Sequence, residues 1–284
     1  MSFVHLHVHS NFSMLAGTRP VEDLVEAAAR AGCPALALTD TNGLYAVVPF
    51  QHACEERGVR PIYGAEVAAP WEPSGDEDGP RRSRGAVAVS ASAGAPKNPG
   101  ARAVLLARNR AGYSEISRLL TSLHLDEHFA LGKALRNVSD DLYVISSDER
   151  VLEALAGREY LRAALPTAPG PEWKQRRWRI ARLAGRLGVR TVAAQEVYFI
   201  EPEEHFLHRV LTAIRTRATV GTLPDGAAAP PEAYLRSPAE IERVFGAAAP
   251  EGRAPLDETL RIADDCSFEL DLRSPKLPRF QGSK

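Results

Sequence analysis

His5, His7 and His9 alternate with Val4, Leu6 and Val8 along the segment from Phe3 to Ser10. In an extended strand, successive side chains point to opposite faces, so this spacing predicts three imidazoles on one face and three aliphatic groups on the other. Imidazoles two residues apart on one strand can converge on a single divalent ion. The carboxylates Asp40, Glu66 and Glu196 each stand at the expected end of a later strand. Two histidines and two carboxylates meeting at one mouth suit a metal that activates water for phosphoester hydrolysis. Each group also has a plainer reading: satisfied histidines on a polar strand face, Asp40 as a cap on its turn, Glu66 as a solvated strand end.

The elements that must position these residues alternate between strand and helix. Phe3 to His9, Ala35 to Thr39, Pro61 to Val67, Val104 to Ala107, Leu142 to Ser146, Glu159 to Leu165 and Thr191 to Ala194 read as seven strands. Thr18-Arg19-Pro20 starts a helix that stops at Gly32, and a second helix runs from about Leu44 to Gly58. Strands separated by helices predict parallel βαβ units closed into a barrel, a fold of the α/β class. In such a barrel the site gathers at the C-terminal strand ends, here His7 and His9, Thr39 to Asn42, Glu66, and Gln195 to Tyr198.

The barrel is expected over residues 1–221, interrupted by an insertion at 68–102 rich in Ala, Gly, Pro and Ser. Residues 222–284 read as a loop, two helices near Pro238 to Phe245 and Pro255 to Cys266, and a proline-punctuated linker. That linker looks like a chain cut at a domain boundary. The net charge of -1 excludes a global pull toward nucleic acid or acidic lipid, so any such contact must come from a local patch. The three cysteines are far apart with no CxxC, which argues against a disulfide framework or structural zinc and suits a reducing cytoplasm. Neither a basic leader nor a membrane-spanning apolar run stands in the sequence, so no membrane partner is expected.

His7-Val8-His9-Ser10 with Phe12-Ser13, then Ala35 to Asp40, then Pro61 to Glu66, resemble the PHP (polymerase and histidinol phosphatase) superfamily. The likeness is closest to the N-terminal PHP domain of the bacterial DNA polymerase III alpha subunit and its error-prone relatives. Further alpha-like stretches are Asn109 to Tyr113, Glu196 to Ile200, Tyr234 to Ser237 and Leu277 to Phe280. The resemblance implies a distorted seven-stranded (β/α)7 barrel with a C-terminal helical extension, and a three-metal phosphoesterase centre. Against that pattern His7, His9 and Glu66 match, and Glu196 keeps a carboxylate. The expected aspartate before Gly17 is Ala16, the expected histidine after Asp40 is Thr41, and the late histidine is Tyr198. Two further ligand positions fall near Arg102 and Arg162.

Ala16, Thr41 and Tyr198 cannot replace lost ligands, and an inward arginine puts fixed positive charge where cations should sit. The expected cofactor is therefore none, or one weakly held zinc, manganese or iron ion. The resemblance implies a polymerase module in DNA replication or error-prone repair, its metal site degenerate and mainly scaffolding. Its partners are the palm and thumb of an alpha-type nucleotidyltransferase, with a proofreading exonuclease or other replication protein, and DNA only indirectly. The chain has no palm carboxylates with which to polymerise DNA by itself. Two alternatives stay open: a stand-alone metal-dependent phosphoesterase or 3'-5' exonuclease, and a non-catalytic phosphate or nucleotide binder using Arg102 or Arg162.

Two features lie outside that pattern. Trp173 to Leu187 reads as a basic amphipathic helix, with Ile180, Leu183, Ala184 and Leu187 buried and Arg179, Arg182 and Arg186 outside. The arginines suit either a phosphate contact or an ordinary solvated face. His205 and His208 are three apart on a helix, and His208 is expected to pack beneath the site.

Overall fold

A computed structural model describes residues 2–72, 100–245 and 251–274. Six strands form one sheet in sequence order, β1 (Ala35–Leu38), β2 (Arg60–Pro70), β3 (Gly100–Ala107), β4 (Leu142–Ser146), β5 (Leu161–Leu165) and β6 (Arg190–Ala193). The expected first strand is not a regular one. It carries single parallel bridges on each side, His5 to Leu36 in β1 and Val8 to Val197 beyond β6. Backbone bonds from Ala37 N to His5 O (2.9 Å) and from His9 N to Val197 O (2.9 Å) close the curl at this seventh position. The architecture is thus a (β/α) barrel whose closing segment is irregular.

The expected all-parallel order fails at β3, which runs antiparallel to both β2 and β4. A parallel return would need a crossover to the opposite end of the sheet. Instead Pro70 pairs with Gly100, so the chain leaves and re-enters the sheet at the same end. Pairing of Ala68, Ala69 and Pro70 with Arg102, Ala101 and Gly100 also carries both strands into the expected insertion. Residues 73–99 of that insertion, and the linker from residue 275 onward, lie outside the described residues.

Strand alternation divides the core into an inside and an outside. Val4, Leu6, Ala35, Ala37, Ile62, Leu106 and Ile145 fill the barrel interior. Outside, α1 (Val21–Arg30) and α2 (Val47–Arg57) cover Val8, Leu36, Leu38 and Tyr63. The other flank is covered by α3 (Arg110–Leu125), α4 (Leu131–Arg136), α5 (Glu149–Ala154), α6 (Pro171–Leu187) and α8 (Pro238–Phe245). Local signals set the boundaries: Asn109 accepts from Ala111 N and Gly112 N to cap α3, and left-handed Gly58 and Gly188 end α2 and α6.

Between α6 and α8 lies α7 (His205–Thr216), and α9 (Ala254–Asp265) follows α8. Ile262 and Ala263 of α9, with Cys266 after it, enter the interior cluster. This helix seals the end where the parallel strands begin: Tyr143 bonds Asp265, Arg60 pairs with Asp264 at 3.0 Å, and Arg162 pairs with Glu258. The chemistry-bearing strand ends meet at the opposite end.

Candidate metal centre

One ring nitrogen each of His7 and His9 and a Glu66 carboxylate oxygen lie within 4.8 Å of one another. Among the described residues this is the one such group of three. His7 and His9 come from the closing segment and Glu66 from the inner face of β2. His5 does not join them. Val4 and Leu6 belong to the interior but Val8 belongs to the cluster under α1 and α2, so strict alternation breaks between Leu6 and Val8. His5 therefore faces away, with Nε2 2.8 Å from the Arg236 carbonyl.

Hydrogen bonding fixes how His9 presents itself. Ser13 Oγ donates to Asp40 Oδ1 at 2.7 Å, and Thr41 Oγ1 donates to Glu66 Oε2 at 3.0 Å. Both hydroxyls also face His9 Nδ1, at 3.0 and 3.4 Å. Their protons are committed, so Nδ1 must carry the hydrogen and Nε2 keeps its lone pair. Burial pushes the His9 imidazole down to about 3, which keeps it neutral. His9 Nε2 and His7 Nε2 are both buried without a hydrogen-bond partner among the described residues. Such orphaned nitrogens beside a carboxylate fit one divalent ion.

The carboxylate is already occupied. Arg102 Nη1 of β3 lies 3.4 Å from Glu66 Oε1, which is also 3.4 Å from His7 Nε2. Burial alone would raise the Glu66 carboxyl, but the Arg102 guanidinium holds it well below the carboxylate range. Arg102 Nη1 also donates to the Tyr198 phenol oxygen at 3.3 Å. Its side chain remains 52% exposed, so this cation caps the cluster from the solvent side.

The other expected site residues have defined places. Asp40 accepts from Ser10 N (2.7 Å), Ser10 Oγ (2.8 Å) and Ser13 Oγ (2.7 Å), and so braces the loop that carries His9. Ala16 and Tyr198 share a small apolar cluster with Phe199 and Ala233. His208 donates from Nδ1 to Ala16 O (2.8 Å) and accepts at Nε2 from Ala229 N (2.9 Å), so both nitrogens are spent on backbone. His205 Nε2 is 3.0 Å from Ala229 O. Glu196 lines the mouth with His7, Glu66 and Arg102, around a cavity of about 100 Å³, but is not one of the three converging donors. Arg162 is elsewhere: it is buried at the sealed end, paired with Glu258 and lying over the Tyr143 ring at 4.9 Å. Arg179, Arg182 and Arg186 project outward from α6.

Sequence reasoning missed Ser13 as a partner of Asp40 and Arg215 of α7 as a second cation near Tyr198, Arg102 and Glu66. The Ser10-x-x-Ser13 spacing before a buried aspartate carried a signal for the first. A single arginine late in a helix carried none for the second.

The description of the PHP domain matches residues 5–165. An error-prone DNA polymerase of Nocardia farcinica is 30% identical over 329 residues, covering 98% of this chain and 28% of its own length. A DNA polymerase III subunit alpha of Halalkalibacterium halodurans is 29% identical over 300 residues, covering 99% of this chain and 24% of its own. This chain thus spans about a quarter of the length of these relatives. An amidohydrolase structure from Chromobacterium violaceum, with sulfate and no metal, aligns at a TM-score of 0.43 and 13% identity, covering 69% of this chain and 87% of that one. No described helix is long and apolar enough to cross a membrane.

Proposed function

This chain belongs to the PHP domain family, and from that membership we propose that it serves as the PHP module of an alpha-type DNA polymerase, with a site that no longer performs phosphoester hydrolysis. The alignment of almost the whole chain with polymerases about four times longer supports the first half. Arg102 supports the second. Its guanidinium stands against Glu66, the one carboxylate among the three converging donors, and supplies there the positive charge a metal would bring.

The surroundings favour the same reading. A polynuclear centre needs bridging carboxylates and further imidazoles, and the Ala16 and Tyr198 positions form an apolar cluster instead. His7, His9 and Glu66 would hold one ion at most, a zinc, manganese or iron held weakly while Arg102 competes for the carboxylate. Such an ion would supply Lewis acidity and a fixed positive charge. The chain's own residues hold the barrel mouth in shape without it: Asp40 and Ser13 orient His9, and Arg102 ties β3 to Tyr198.

In this account the module works in the cytoplasm as a scaffold beside palm and thumb, in replication or error-prone repair synthesis, and a proofreading exonuclease or another replication protein is a further partner. The test is turnover of bis(p-nitrophenyl) phosphate and of a 3'-labelled oligonucleotide with added manganese. Wild type and a His7→Ala, His9→Ala double variant should give the same background. Wild-type turnover that vanishes in the double variant would establish a working phosphoesterase instead.

A further inference from the structure

α6 carries a concentration of positive charge without ion-pair partners among the described residues. Its inner face buries Ile180, Leu183 and Ala184, and buried Arg177 is tied to the carbonyls of Pro166 (3.2 Å) and Ala168 (2.6 Å). Lys174, Arg176, Arg179, Arg182 and Arg186 are all exposed. None has an acidic partner within ion-pair distance among the described residues. Other arginines do: Arg30 and Arg57 share Glu26, Arg60 meets Asp264, and Arg253 meets Glu242. The chain carries a net charge of -1, so this stripe is not the overflow of a generally basic protein.

Aromatic rings are interleaved with these cations. Trp178 is 53% exposed, and the Arg182 guanidinium lies 5.2 Å from its ring centroid. Arg176 lies similarly over Trp173, at 5.7 Å. Lys174, Trp178, Arg182 and Arg186 are four residues apart and form one row along the helix, about 6 Å per step. Arg176 and Ser147 line both a groove shared with Arg179, Arg150, Asp148 and Glu149 and the mouth cavity, where Arg102 faces Glu66 and Glu196.

We infer that the exposed face of α6 binds single-stranded nucleic acid, its cations meeting successive phosphates and Trp178 stacking against a base. An acidic protein surface would satisfy the cations alone, whereas Trp178, 53% exposed beside a guanidinium, is of use to a partner that can stack on it. An unpaired base has that use, because every base offers a π-face to an aromatic platform. The inference rests on α6 alone and stands apart from the metal question.

The test is fluorescence anisotropy of a labelled oligothymidylate at increasing salt. Arg179→Glu, Arg182→Glu, Arg186→Glu should weaken binding at least about tenfold and lower the slope of log K against log salt by about two, since each lost phosphate contact removes roughly 0.7. The milder Arg179→Gln, Arg182→Gln, Arg186→Gln should fall between. Trp178→Ala should weaken binding about fivefold or more with the slope unchanged. A control reversing exposed charges elsewhere, Arg110→Glu, Arg118→Glu, Lys133→Glu, should change affinity less than about threefold. Four results would each overturn the inference: no saturable wild-type binding below roughly 100 µM at physiological salt, a control as weak as the α6 variant, no effect of Trp178→Ala, or tighter binding to duplex than to single strand.

Discussion

Tyr198 lies flat against His9, with ring centroids 4.3 Å apart and planes 6° from parallel. The stack covers one side of a nitrogen donor, and Arg102 holds the phenol oxygen from the other end while reaching Glu66. One guanidinium thus joins the phenol stacked on His9 to the carboxylate beside His7. The mouth is braced by aromatic packing and charge, which makes its stability measurable by substitution.

Tyr198→Phe keeps the stack and removes only the acceptor for Arg102, so it should cost less than about 1.5 kcal/mol. Tyr198→Ala removes a buried ring between His9 and His208 and should cost about 3–5 kcal/mol. Urea unfolding of the two variants measures both. Equal losses would show that the phenol hydroxyl, not the ring, carries the contribution.

At the sealed end, Glu258→Ala leaves the Arg162 guanidinium, only 3% exposed, without its carboxylate. The expected loss is about 3–5 kcal/mol, because an uncompensated buried charge remains. Arg261→Ala removes the exposed partner of the same carboxylate and should cost less than about 1 kcal/mol. Thermal denaturation should separate the two by several degrees, and comparable shifts would mean that the buried pair carries no special weight.

Two glycines should respond in opposite directions to alanine. A Cβ on Gly17 would lie 2.0 Å from the Ser10 carbonyl oxygen, inside the loop that carries His9. Gly17→Ala should therefore cost about 1–3 kcal/mol or more. Gly185, within α6, has nothing within 4 Å of the added carbon, and Gly185→Ala should stabilise by about 0.5–1 kcal/mol. Chemical denaturation of both variants checks the signs.

Burial pushes the thiol of Cys33 up to about 11 and those of Cys54 and Cys266 to about 12. An acid whose folded pKa is raised binds its proton more tightly in the fold. This contribution is complete below the ordinary value of 9.0 and is lost as pH climbs from there toward 11 and 12. At pH about 8 the native thiols should resist alkylation, whereas all three should react in denaturant. Fast labelling of the native protein would contradict their burial.

The sequence made the centre of the site legible and its periphery opaque. His7, His9 and Glu66 stood at the expected strand ends, and they converge. His5 did not follow, because a closing segment held by isolated bridges does not keep the period of a regular strand. The reversal of β3 was hidden because the connection from β2 read as an insertion, although its lack of a helical pattern was the clue that no crossover links the strands. Arg162 could not be placed from its own neighbourhood, since its partner Glu258 lies 96 residues later, on a helix at the far end of the barrel. Asp40 read as either ligand or cap, and its three bonds from Ser10 and Ser13 make it a brace for the loop.

The most direct test of the central claim, that Arg102 stands in for the cation beside Glu66, is metal content by mass spectrometry, on protein purified without chelator or histidine tag and dialysed against metal-free buffer. Wild type should carry less than about 0.1 equivalent of zinc, manganese or iron, and Arg102→Ala should hold clearly more once metal is supplied. About one equivalent or more retained by wild type, unchanged in Arg102→Ala, would contradict the account and mark the mouth as a working metal centre.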